Sequence, residues 1–438
     1  MVAPARYIAT RVLHRVSHDD AWAAPTLDAE LRRGSVSRAD AALATQIVYG
    51  SLRAVPDLEA VLARHASRPV KVDDWTHAAM IGAVYQLLHL ERVPSYAVVN
   101  DTVELVRAKR GNRVAGFTNA ILRKVAAERP ELPQLPSSVA VPRWLRDALR
   151  SSIGVAHTDD LLKLGTEPPT IDLRARADID RNALAESILA AQPGASVSHA
   201  VLSPHGLRVS GAADPRALPG YDEGAFAVQE EGAQLIGLLL GAQPGERVLD
   251  ACAGRGGKTA QLLEAVGDSG TVVATDLHEH RLQQIASEAQ RLQLDPARLE
   301  TACVDWTVGK GAVRGEFDRV LVDAPCTGLG TLRRRPEILL RTSPKDAARM
   351  GETQRRVVEN AATLVRPGGI LLYAVCSPLD EEGPEVIEAA NLPGLVLQVG
   401  RASPVHSLYF GAGPWADAYR IYVWVNVGEF VDSSRPQR

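Results

Sequence analysis

Three stretches of contrasting periodicity predict a multidomain chain with an all-α front, a small α+β unit and a terminal α/β unit built on a doubly wound sheet. Up to about residue 128, apolar residues recur at i, i+3 and i+4 with no strand signal between them. Four prolines (130, 133, 136 and 142) then break the chain, and beyond residue 228 short apolar strands alternate with helical segments. A length of 438 residues exceeds what one hydrophobic core serves, and 46% hydrophobic with 23% charged residues excludes a disordered chain.

In order along the chain, Met1 to Val16 carries Ile8, Val12, Leu13 and Val16 on one helical face. It therefore reads as the first helix of a domain rather than a targeting segment. Helical patterns follow at residues 42–52, 58–65, 77–90, 96–108 and 117–127, which places a first domain at 1–135. Residues 136–166 read as a linker with short helices. Residues 167–228 form a small α+β domain: strand 170–176, helix 181–191, and a hairpin of 200–202 with 206–209. Residues 229–438 complete the chain, with strands expected at 247–251, 272–276, 319–323 and 370–375 and a late strand at 419–425. Right-handed crossovers between such strands make a largely parallel sheet.

No apolar run approaches the roughly 20 residues a membrane helix needs, so no membrane role is expected. Cys252, Cys303, Cys326 and Cys376 stand far apart without a CxxC pair, which argues against zinc and against a disulfide framework, and fits a reducing cytoplasm. The net charge is only -3, so nucleic acid would be held by local patches. Residues 1–135 carry 18 basic against 14 acidic side chains, modest support for a polyanionic partner.

The most informative stretch is VLDACAGRGGKT, residues 248–259, where a strand enters a glycine-rich turn and a helix. It is neither common phosphate-binding motif. Cys252 stands where the first glycine of a Walker A loop belongs, and Thr259 where the third glycine of the dinucleotide fingerprint belongs. Asp276 ends the next strand, where a carboxylate accepts hydrogen bonds from ribose hydroxyls, and Asp305 follows a third strand. Together these suit an adenosine without a long phosphate chain, such as S-adenosylmethionine, although each aspartate taken alone also reads as a helix cap. Cys326, in DAPCTG at residues 323–328, and Cys376 both stand at strand ends that open onto the same crevice.

DACAGRGGKT, VDAPCTGLGTLRRRPEI and LVRPGGILLYAVCS, in this order and spacing, resemble the RNA (cytosine-C5) methyltransferases over residues 168–427. ARYIATRVLHRV, QIVYGSLR, AVYQLLHLERVPSYAVVNDTVEL and GFTNAILRKV, over residues 4 to about 127, resemble the NusB-like domain that one bacterial branch, the 16S ribosomal RNA methyltransferases, carries in front.

The resemblance implies a NusB-like RNA-binding domain, an RRM-like small domain and a Rossmann-like class I S-adenosylmethionine-dependent methyltransferase domain. It implies methyl transfer to C5 of a cytosine in 16S ribosomal RNA, or in an assembly intermediate, by a cytoplasmic monomer. By the same resemblance Cys376 attacks C6, Cys326 assists release, and Asp323 contacts the N3 side of the base. The cofactor is expected on Cys252, Ala253, Gly254, Arg255, Gly256, Gly257, Lys258, Asp276, Asp305 and Asp323, with no metal. The family loop reads Ala-Ala-Pro-Gly-Gly-Lys; here Gly254 and Arg255 replace its second alanine and proline. Position alone leaves the attacking cysteine open, since Pro325-Cys326 also resembles the nucleophile motif of DNA cytosine methyltransferases. The same chemistry on another RNA, or a noncatalytic RNA-binding assembly factor, are the alternative readings. Arg333, Arg334 and Arg335 are expected near the cleft, and Arg107, Lys109, Arg110 and Arg113 form a second basic group.

Overall fold

Residues 3–34, 36–65, 72–128, 138–211, 214–399, 408–410 and 417–427 are described by the structure, a computed structural model. They fall into two compact units, the first made of residues 1–143, 162–167 and 332–342, the second of 144–161, 168–331 and 343–438.

The first unit is helical: α1 (Pro4–His18), α2 (Ala23–Arg33), α3 (Arg38–His65), α4 (Asp74–His89) and α5 (Ser95–Glu128). The predicted face of α1 is buried, with Ile8, Val12, Leu13 and Val16 in one core with residues of α3, α4 and α5. Gly50 on α3 lets α4 come close, because a Cβ there would stand 2.0 Å from the Tyr85 ring. Arg6 is buried and answered on two sides, its Nε donating to Gln86 Oε1 at 2.8 Å and its guanidinium to Asp101 Oδ2 at 2.6 Å.

The segments 42–52 and 58–65, read as two helices, are one. Pro56 forfeits a single backbone bond, while Leu58, Val61 and Leu62 extend the buried face of Ile47, Val48 and Leu52. Gly111, at φ 77°, breaks α5 inside its basic stretch. Pro130, Pro133 and Pro136 of the expected linker lie outside the described residues. Downstream, α6 (Arg143–Leu164) is kinked at Gly154, φ 78°.

Within residues 229–438, one segment groups with the helices instead. Leu332–Thr342 belongs to the helical unit. Arg53 there donates to the Arg333 carbonyl at 3.0 Å, and Glu337, almost fully buried, accepts from the Ala23 amide at 3.0 Å. The Arg341 guanidinium lies 4.9 Å from the centre of the Trp22 ring. Arg333, Arg334 and Arg335 thus stand in a segment that packs with the helices.

The second unit contains a four-stranded antiparallel sheet ordered β2-β3-β1-β4, formed by β1 (Ile171–Ala175), β2 (Ser196–His199), β3 (Gly206–Ser210) and β4 (Phe226–Val228). Its helix α7 (Arg181–Ala191) begins at Asp180, whose carboxylate accepts from the Asn182 and Ala183 amides. The first hairpin strand is 196–199, not the predicted 200–202. Ala200 is the closing residue, its amide donating to the Gly206 carbonyl at 2.9 Å.

After α8 (Glu231–Leu240) the chain builds a sheet that has eight strands among the described residues, ordered β10-β12-β9-β8-β5-β6-β7 with β11 beside β12. Its members are β5 (Arg247–Asp250), α9 (Gly257–Ala265), β6 (Thr271–Asp276), α10 (Glu279–Arg291), β7 (Leu299–Cys303), β8 (Phe317–Asp323), α11 (Pro344–Ala362), β9 (Val365–Val375), α12 (Pro384–Ala389), β10 (Leu395–Val399), β11 (Leu408–Phe410) and β12 (Tyr419–Asn426).

Strands β5 to β9 run parallel; β12 pairs antiparallel with β9, and β10 antiparallel with β12. Alternate residues enter two cores. Leu249, Val320, Val322, Leu371 and Tyr373 pack with Val357, Val358 and Ala361 of α11. Val248, Val272, Leu321 and Leu372 pack with Ile236 and Leu240 of α8 and Leu262 and Leu263 of α9. The strand order reverses between β5 and β8, so the crevice where ligands bind in such sheets opens at their carboxyl ends.

Candidate active site

At that reversal the cofactor loop, residues 251–256, leaves β5. Gly256, at φ 84°, caps α9, and a Cβ on it would stand 2.9 Å from Ile285. Gly254 is also left-handed, at φ 57°, and its amide donates to Asp276 Oδ2 at 3.2 Å. Among the described residues nothing lies within 4 Å of where side chains on Gly254 or Gly257 would be, so backbone is open to a ligand there. Asp276 also accepts from the His278 amide at 2.8 Å and pairs with Arg281 at 3.2 Å. It therefore organises the loop. Asp305 is exposed and closes a turn, accepting from the Thr307 amide at 2.9 Å and hydroxyl at 2.6 Å. Arg255 is exposed, and Ala253 is tied to β6 by its amide, 2.8 Å from the Thr275 carbonyl.

Three carboxylates at strand ends, Asp250, Asp276 and Asp323, give the crevice its charge. Lys258 answers one of them, with Nζ 2.6 Å from Asp323 Oδ2. Burial works against its ammonium, yet the charge and hydrogen bond of Asp323 outweigh it and hold the group above its ordinary value. Asp250 is almost fully buried; Oδ2 accepts from Thr259 Oγ1 at 2.7 Å, while Oδ1 has no hydrogen-bond partner among the described residues. Burial pushes its carboxyl up to about 6. Burial, then the charges of Asp250, Asp323 and Asp276, raise the Cys252 thiol well above its usual range, leaving it neutral and a poor nucleophile.

Cys326 and Cys376 are brought together, Sγ to Sγ 3.3 Å, each on the loop that leaves β8 or β9. Both are free thiols. Gly330 allows this approach: its amide donates to the Cys376 carbonyl at 2.9 Å, and a Cβ would meet the Ala418 carbonyl oxygen at 2.1 Å. The hydrogen bond it donates to Cys376, then burial and the charges of Cys376, Glu382 and Asp323, raise the Cys326 thiol well above the ordinary value. Cys303 lies elsewhere, exposed beside Glu279.

An orphaned buried carboxylate oxygen, open glycine backbone and an acidic rim with one compensating lysine fit a cationic nucleoside cofactor with a free amino acid end. Residues 237–392 match the family described as 16S rRNA methyltransferase RsmB/F, and residues 3–127 match the NusB family. Rv1407 of Mycobacterium tuberculosis is 35% identical over 428 residues, covering 92% of this chain and 88% of its own. Ribosomal RNA small subunit methyltransferase B of Pseudomonas putida is 34% identical over 402 residues, 89% of each chain. This chain belongs to the RsmB/F family. The fold is shared with the crystal structure of PH0851, at a TM-score of 0.80 and 21% identity over 97% of this chain and 99% of that one.

As an RsmB/F protein the chain is an S-adenosylmethionine-dependent RNA methyltransferase, and its helical front is a NusB-like domain. When bound, S-adenosylmethionine supplies an electrophilic methyl group. Residues of the 252–258 loop, with Asp276, Asp305 and Asp323, could hold it, and Asp250 lies buried beneath them. Among the described residues no His/Cys/Asp/Glu group suits a metal ion, and no helix is long and apolar enough to cross a membrane.

The sequence reading passed over Asp250, Gln354 and Glu382. Glu382 lies inside an acidic run, Asp380-Glu381-Glu382, that reads as solvated surface, yet it is completely buried. Its one signal was distance, six residues past Cys376.

Proposed function

We propose that this methyltransferase acts on C5 of a cytosine in 16S ribosomal RNA through a covalent adduct between Cys376 and C6. The observation that carries the reading is the pair of thiols 3.3 Å apart beside the Lys258–Asp323 pair. Cytosine C5 is a weak nucleophile. Addition of a thiolate to C6, with a proton taken up at N3, makes it electron-rich, one hard step divided into easier ones. The ammonium of Lys258 keeps a proton 2.6 Å from Asp323, on the side assigned to N3. C5 takes the methyl group, a base then removes the C5 proton, the C6–S bond breaks, and N3 gives up its proton. Cys326 suits the removal step, because a thiol of raised pKa is, once ionised, the stronger base.

The same reading gives residues 1–135 to RNA binding and takes 136–166 as a linker. Residues 167–228 become an RRM-like domain and 229–438 the catalytic domain, with 332–342 lent to the helices. The cofactor set is Cys252 to Lys258, Asp276, Asp305 and Asp323. The substrate is free small-subunit RNA or an assembly intermediate, and the enzyme is a cytoplasmic monomer.

Radiolabelled cofactor, RNA and a denaturing gel test the chemistry. Cys376→Ala should give neither methylated RNA nor adduct. Cys326→Ala should methylate and then stay attached, as a slow band that the double substitution abolishes. An adduct in Cys376→Ala but not in Cys326→Ala reverses the roles, and methylation without either cysteine refutes the covalent mechanism.

A further inference from the structure

We propose that Glu382 is the positioning residue of the thiol pair, its carboxylate tying the Cys326 loop to the Cys376 loop. This rests on the reading that the two cysteines perform the chemistry. Oε1 accepts from the Thr327 amide at 2.7 Å and from Gln354 Nε2 at 3.1 Å; Oε2 accepts from Thr327 Oγ1 at 2.5 Å and Ser377 Oγ at 2.5 Å. Thr327 follows Cys326 and Ser377 follows Cys376, so one side chain grips the residue next to each thiol. Four donors fill the acceptor sites of a carboxylate.

The surroundings make the joint stiff. Gln354 of α11 also donates to the Pro325 carbonyl at 2.9 Å, and Tyr373 Oη lies 3.0 Å from Gln354 Oε1 and 2.9 Å from the Glu382 carbonyl. Arg420, almost fully buried, donates to the Pro378 carbonyl at 2.8 Å and Asp380 Oδ1 at 2.7 Å, fixing the turn between Cys376 and Glu382. Burying a carboxylate is costly, and an apolar side chain of similar volume would fill the space more cheaply. What the carboxylate adds is direction, two acceptor atoms aimed at two loops that the sheet alone delivers only to neighbouring strand ends. Thiols 3.3 Å apart need that direction, since a displacement near 1 Å costs about a hundredfold when reacting groups must meet.

The test compares Glu382→Gln and Glu382→Ala with the parent enzyme by S-adenosylmethionine calorimetry, steady-state RNA methylation, and the rate at which diamide converts Cys326 and Cys376 to a disulfide, read by mass. In Glu382→Gln, cofactor affinity and KM should stay within about twofold, kcat should fall roughly ten- to a hundredfold, and disulfide formation should slow at least about tenfold. Losing the Glu382 charge lowers the Cys326 pKa, which alone would speed the pairing, so slowing reports geometry. Thr327→Val with Ser377→Ala removes two of the four donors while keeping the carboxylate, and should reproduce the slow pairing even where Glu382 variants do not fold. Parental pairing rates in folded Glu382→Gln, or in the double variant, overturn the proposal. So does a drop in kcat with unchanged pairing. Cys376→Ala is assayed alongside: if it still methylates, the covalent reading fails, while the pairing rate still decides the role of Glu382.

Discussion

Replacing Asp250 by asparagine should change how the stability of the protein depends on pH. In the folded chain burial is the largest influence on this carboxyl and Asp323 adds to it, while the Thr259 hydrogen bond and Lys258 oppose it. The result is about 6 against an ordinary 3.8. The folded state therefore binds this proton more tightly than the unfolded chain does. Between about pH 4 and pH 6 it carries more protons, so its stability contribution, complete below the unfolded value, is lost as pH rises through the folded one. A difference of about two units at about 1.4 kcal/mol each makes the loss about 3 kcal/mol. The asparagine side chain does not titrate. It leaves an amide group where Oδ1 already lacks a partner, a cost of about 1–3 kcal/mol that is the same at every pH. Urea unfolding of parent and Asp250→Asn, followed by tryptophan fluorescence, should show the variant gaining on the parent by about 3 kcal/mol between pH 4 and pH 7. A stability difference that does not move with pH would mean that Asp250 is ionised in the fold at no cost, and burial would not govern the charge of the acidic crevice.

Two further outcomes follow from the geometry. Gly256→Ala places a Cβ at φ 84° and 2.9 Å from Ile285, so the loop must shift; S-adenosylmethionine affinity should fall about tenfold by calorimetry, and an unchanged value would remove the loop from the cofactor site. Lys109→Ala with Arg113→Ala removes two exposed charges flanking the Gly111 break in α5; the slope of log affinity for RNA against log salt should become shallower by about 1.5, and an unchanged slope would take this face off the RNA.

The parts of the molecule legible in the sequence are those where local pattern and tertiary demand agree. Strands β5, β6, β8 and β9 are buried on both faces, so they read as apolar runs that end in Asp250, Asp276, Asp323 and Cys376, and the crevice could be located from those endings. Strand β7 carries Glu300 and Thr301 exposed at the sheet edge and gives no such run. The hairpin at 196–210 reads out of place because Ser196, Ser198 and His199 are exposed, whereas Ala200 and Leu202 look like core. Residues 332–342 read as part of the catalytic domain because the motif VDAPCTGLGTLRRRPEI runs into them. What ties the segment to the helices is Glu337 and Arg341, whose partners lie more than 300 positions away. Glu382 is hidden for the same reason: a buried acid is recognisable only by its donors, and these come from three separate segments.

Under the proposed covalent mechanism the two thiols also set an order of events. At 3.3 Å, a charge on Cys376 disfavours one on Cys326, so during the proposed attack Cys326 would keep its proton and point it across the gap. On that mechanism, once Cys376 were bonded to C6 its charge would be gone, and the repulsion holding Cys326 protonated would go with it. Cys326 becomes able to ionise at the stage when the C5 proton has to leave, and loss of that proton restores the charge to Cys376 as the C6–S bond breaks. One sulfur thus reports the state of the other, and the sequence of attack and release is carried by their separation. A side chain that fixes this separation, as Glu382 does through Thr327 and Ser377, acts on both steps while remaining buried away from solvent.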